Sequence, residues 1–97
     1  MTEAAPRVRR DGAALHLSGT LDRNAATTLW SQASVAVEGA RVLDVTAVEA
    51  VDSAGLAMLV ALALRMDDVR VEGAPRGMAD LLAAYRLTPT LTFDDGH

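Results

Sequence analysis

The run Ala54 to Leu64 constrains this chain more than any other segment, because it holds no charged or hydroxyl side chain. It is too short to cross a bilayer, which takes about 20 apolar residues. At 3.6 residues per turn it reads as a helix that is apolar on every side. Leu56, Leu59, Val60, Ala63 and Leu64 share one face, and Ala54, Met58, Ala61 and Leu62 lie roughly opposite, in line with Arg65. A helix on the outside of a sheet buries one face, so an all-round apolar helix is either enclosed or meets something else. A chain of 97 residues builds one domain with one small core, which can hardly enclose a helix. Met58 and Leu62 are therefore expected in an exposed patch of the kind that marks interaction sites. The bland alternative is that the alanines dilute the patch enough to be tolerated.

The residues before this helix say how it starts. Val42-Leu43-Asp44-Val45 is a short apolar run and reads as a buried strand beginning at Arg41. Thr46 to Val51 then reads as a loop, and Asp52-Ser53-Ala54-Gly55-Leu56 as the start of a helix over Ser53 to Met66. Ser53 stands where an N-cap is expected, its hydroxyl accepting from a first-turn N–H. Gly55 allows close backbone approach. Three readings of Ser53 stay open: a plain cap, a contact point, or a phosphorylation site. A phosphate there adds about -1.5 to -2 charges beside Asp52, at a helix terminus whose dipole tolerates it but against a partner surface that would not.

The rest of the chain supplies layers. Met1 to Ala5 is expected to be a loose tail. Val8 to Arg10 reads as an edge strand, joined through the turn signal Asp11-Gly12 to a strand over Ala14 to Gly19. Leu15 and Leu17 should face the core and His16 should face out. Asn24 to Val37 is helical, with Ala25, Leu29, Ala33 and Ala36 on one face and Ala26 and Val37 beside them. Asp22 or Asn24 caps it and Gly39 ends it. Trp30, the one tryptophan, falls at the edge of that face, a position that suits the core as well as an interface. Val69 to Glu72 reads as a strand. Pro75 is placed in the first turn of a third helix, whose apolar face is Met78, Leu81, Leu82 and Tyr85. Thr90 to Phe93 is a last short strand. Alternation of this kind implies a single α/β domain with a mixed sheet and crossover helices.

Composition excludes several functions. The net charge is -4, which argues against nucleic acid and against attraction to anionic lipid. All nine basic residues are arginine, so lysine chemistry is excluded, and the absence of cysteine excludes thiol catalysis and zinc thiolate sites. Hydrophobic residues make up 51% and aromatics 3%, so the chain should fold around Ala, Val and Leu. The first residues lack an apolar stretch of signal length, and the expectation is a soluble cytoplasmic protein without direct membrane insertion. No cofactor or metal is expected, since Asp67-Asp68 and Asp94-Asp95 read as solvated turns. Catalysis is not expected either, because Ser53 has no evident base: His16 is on a strand and His97 is the last residue.

Asp52-Ser53-Ala54-Gly55-Leu56 after Leu43-Asp44-Val45 resembles the central motif of STAS domains. Leu17-Ser18-Gly19-Thr20-Leu21-Asp22 resembles their early strand and turn, and the match runs in order along nearly the whole chain. The resemblance implies the STAS (SpoIIAA-like) fold, a small mixed β-sheet flanked by about three to four helices. Asp22, Asp44, Asp52, Gly55 and Leu56 are its motif positions. Two branches fit. One is the anti-sigma factor antagonists, whose motif serine is phosphorylated by a partner kinase. The other, closer in Leu29-Trp30, in length and in the early stop near Tyr85-Arg86-Leu87, is the STAS subunit of the Mla phospholipid transporter (MlaB-like). That branch can carry threonine where this chain has Ser53, which leaves open whether a kinase acts here.

The Mla resemblance implies a cytoplasmic subunit, peripheral to the inner membrane, in a complex that maintains outer-membrane lipid asymmetry. Its partner would be the ABC transporter ATPase subunit (MlaF-like), in complex with an inner-membrane permease. Trp30 and Ser53 match that family's ATPase-contacting positions. Together with Ala54, Met58 and Leu62 they are the expected partner-binding residues. An exposed apolar patch also permits self-association in isolation.

Overall fold

Asp11 and Gly12 make the turn that the sequence announces. Gly12 takes a positive φ of 60° there, and the strands on either side pair antiparallel. The structure, a computed structural model, describes residues 5–91. The expected tail at Met1 to Ala5 lies outside these, apart from Ala5. Strand β1 (Arg7–Asp11) pairs with β2 (Ala14–Leu21), in which Leu15, Leu17 and Leu21 are buried and His16, Ser18 and Thr20 are not. Helix α1 (Arg23–Ala36) follows, then β3 (Val42–Val51), α2 (Ser53–Ala63), β4 (Arg70–Glu72) and α3 (Met78–Ala84). The sheet runs in the order β1-β2-β3-β4, with β2, β3 and β4 mutually parallel.

Right-handed crossovers between neighbouring parallel strands put their helices on the same face. Accordingly α1 and α2 pack on each other and on the central strands. The core lies between that helical layer and the sheet, and includes Leu15, Leu17, Leu21, Leu29, Leu43, Val45, Leu56, Leu59 and Leu62. The other sheet face carries polar side chains. This is the expected α/β class with a mixed sheet.

Arg10 ties β1 to the end of α1. Its guanidinium donates to the carbonyls of Ala36 (2.6 Å) and Glu38 (2.7 Å), so a cation meets the negative end of the helix.

Several boundaries differ from the sequence reading. Thr46 to Val51 is not a loop but the second half of β3. Consecutive exposed Thr46 and Ala47 break the alternation, and the pairing with β2 shifts register there and again near Gly19. Such irregularities erase the period-two signal of a strand. Helix α2 stops at Ala63, short of Met66. Pro75 is not in the first turn of α3. Arg76 bridges to Ala50 and its carbonyl accepts from Val51 N–H (3.0 Å), so this segment is held against the end of β3. Helix α3 begins only after Gly77, whose φ is 89°. Tyr85 is not on a buried face but sits at the C-cap of α3, exposed. Thr90 and Leu91 form a turn closed by a Leu91 N–H to Thr88 carbonyl bond, and the remainder of the expected last strand lies outside the described residues.

Candidate partner-binding surface

Two aspartates set up the ends of the central layer. Asp22 accepts from Ala25 N–H (2.9 Å) and caps α1; Asp52 accepts from Gly55 N–H (2.9 Å) and caps α2. They follow Leu21 and Val51, which pair across β2 and β3, so both helices start side by side at the C-terminal ends of the central strands. Asp52 N–H also donates to the Leu21 carbonyl (3.1 Å).

The cap of α2 is therefore Asp52, not Ser53. A carboxylate in extended backbone just before the helix reaches the first-turn N–H, and Ser53 becomes the first helical residue, with its side chain exposed. Its hydroxyl makes no hydrogen bond within the described residues.

Gly55 shows why this start is so tight. A Cβ there would lie 2.0 Å from the Leu21 carbonyl oxygen, inside any permissible contact. The absent side chain is what lets α2 sit against the end of β2. Leu56 follows, buried in the core.

The phase of α2 differs from the sequence reading. Met58 (4% exposed) and Leu62 (0%) are buried, facing α1 and the sheet, and do not form an exposed patch. Because α1 covers one flank and the sheet another, six of the 11 residues of α2 are buried. What remains open is the stripe Ser53, Ala57, Val60, Ala61 and Leu64, with Leu64 76% exposed. Ala54 is half-buried at its edge.

A groove flanks this stripe on each side. One, about 290 Å³, is lined by Ser53, Leu56, Ala57, Val60, Tyr85 and Leu87. The other is shallow and open, lies between the helices and is lined by Ala26, Thr27, Trp30, Ala54, Ala57, Met58 and Ala61. Trp30 is half-buried and forms one wall, with the Arg65 guanidinium 5.4 Å from its ring centroid. The structure thus brings Trp30, Ser53 and Ala54 to one surface. It adds Ala57, Val60, Ala61, Leu64, Tyr85 and Arg65, which the sequence reading did not select. A signal for part of this was available. Ser53 is the one hydroxyl residue of α2, and helical steps from it reach Ala57, Val60 and Leu64.

Asp44 belongs to a different place. It sits on the open face of the sheet, accepting from the Thr46 hydroxyl (2.6 Å), Thr46 N–H (2.9 Å) and His16 Nδ1 (2.9 Å). The Thr46 hydroxyl and N–H hold its carboxyl below the usual aspartate range, with the His16 imidazole adding to the effect and burial opposing it. His16 and Ser53 are not brought together, since the sheet lies between the His16 side chain and the helical layer. Among the described residues no cluster of acidic or histidine side chains could hold a metal ion. Among them, too, no helix is long and apolar enough to cross a membrane.

A family model described as "Mlab, STAS domain" matches residues 5–92. No curated protein matches the chain.

Proposed function

The chain belongs to the STAS domain family, and from that premise we propose that it is a non-catalytic subunit of a phospholipid-transporting ABC complex of the Mla type. In this reading it binds the ATPase subunit (MlaF-like) and supports its assembly and activity, peripheral to the inner membrane through the permease. The complex would serve outer-membrane lipid asymmetry. The observation that carries the reading is the uncovered apolar stripe from Ser53 to Leu64, bordered by Trp30 and Tyr85. A contiguous apolar strip rimmed by polar groups is what a docked protein covers. The two motif positions that resemble ATPase-contacting residues, Trp30 and Ser53, border it.

The test is co-purification of the tagged chain from gently solubilised membranes of its host. An ABC ATPase with its permease should be recovered with wild type and lost with Ala57→Glu and Trp30→Glu, both variants remaining folded by circular dichroism. Failure of wild type to recover an ABC ATPase would overturn the reading, and unchanged recovery with both folded variants would overturn this stripe as the docking surface.

A second reading, an antagonist of an anti-sigma factor switched at Ser53, is favoured by one observation: the Ser53 hydroxyl is exposed and has no partner within the described residues, because Asp52 performs the capping. It expects recovery of a soluble kinase-like protein instead, and loss of that complex in Ser53→Asp.

A further inference from the structure

We propose that Arg65 is a positioning residue that holds the Trp30 indole in the orientation the docking surface uses; this rests on the partner-binding reading above. Arg65 follows the C-cap of α2, Leu64, and reaches across to α1. Its guanidinium carbon stands 5.4 Å from the Trp30 ring centroid, within cation–π range. Its Nη1 also donates to the Ser34 carbonyl (3.4 Å), one turn beyond Trp30 on the same helix. Neither of the ion pairs among the described residues involves Arg65, so no carboxylate among them draws the guanidinium off the ring.

The need for such a clamp follows from the groove. Across from Trp30 stand Ala54, Ala57, Met58 and Ala61. Met58 is buried beneath the ring, and the three alanines at the surface are too small to wedge the outer part of an indole. Burial fixes one side of the ring against the core, and Arg65 supplies the restraint on the other. A side chain already fixed in the free protein loses less freedom when a partner arrives. An exposed cation–π contact corresponds to about a two- to fivefold change in an equilibrium constant.

Trp30 is the one tryptophan, so its emission reports on this contact directly. In the isolated full chain, Arg65→Ala should raise the acrylamide quenching constant of Trp30 and red-shift its emission, while Arg65→Lys, which retains a cation, should stay near wild type. Against the ATPase recovered by co-purification, Arg65→Ala should bind about two- to fivefold more weakly, with Arg65→Lys restoring most of the loss. Unchanged quenching in folded Arg65→Ala would overturn the positioning role whatever the partner. Altered quenching with unchanged affinity would overturn its part in docking. Altered quenching in a chain whose wild type captures no ATPase would support the positioning and remove the transporter reading alone.

Discussion

At the scale of single residues, Asp52 and Ser53 divide work that one residue was expected to do. Asp52 caps α2, and Ser53 offers an exposed hydroxyl at the helix start that has no partner among the described residues. Asp52→Ala should therefore cost about 1 kcal/mol in urea unfolding, the usual loss for a removed cap. Ser53→Ala should stay within about 0.5 kcal/mol of wild type, as exposed substitutions do. Equal losses for the two would contradict the geometry. Gly55→Ala should be the most damaging small change in the motif. Its Cβ would meet the Leu21 carbonyl at 2.0 Å, so either α2 shifts or the strand end does. Overpacking of this kind costs about 1–3 kcal/mol or more. Melting temperature measures it, and a variant as stable as wild type would show that the close approach is not required. The motif was legible as a motif. Which of two adjacent capping types takes the N–H was not, since Asp and Ser are both good caps one position apart.

At the scale of elements, α2 shows where periodicity stops informing. A helix that is apolar all round carries no phase, because every rotation about its axis buries hydrophobic groups equally well. That α2 leaves an apolar strip open was readable from its composition and from the size of the domain. Which strip was not: the phase is set by α1 on one flank and by the sheet beneath, and neither is written into the segment itself. Strand β3 looks short in the sequence for a related reason, since its irregularity at Thr46-Ala47 interrupts the alternation. By contrast α1, whose polar and apolar residues alternate at helical spacing, was placed to within one residue at each end. The corrected phase separates two classes of substitution. Met58→Glu and Leu62→Glu bury an unpaired charge and should unfold the domain, costing more than about 3 kcal/mol. Ala57→Glu points into solvent and should leave unfolding within about 0.5 kcal/mol of wild type. Folded, soluble Leu62→Glu at wild-type stability would place the buried face wrongly.

At the scale of the whole molecule, the open face of the sheet links the central strands through Asp44. Its carboxylate accepts from Thr46 on its own strand and from His16 on β2, so it joins the pair of strands that make up the middle of the sheet. The lowered pKa turns this into a dependence of global stability on pH. A carboxyl group whose folded pKa is depressed binds a proton more readily when unfolded. The stability it contributes is therefore present above the unfolded value, near 3.8, and is lost as pH falls through the lower folded value. The Thr46 hydroxyl is the largest cause of the depression, and Thr46→Val removes it at nearly constant volume. Wild type should exceed Thr46→Val in urea-unfolding free energy at pH 7. The difference should hold down to the ordinary aspartate range and shrink below it as Asp44 protonates in both proteins. A gap that stays constant from pH 7 to pH 2 would mean that Thr46 stabilises the strand by packing alone, and that the Asp44 carboxylate is not what ties the middle of the sheet together.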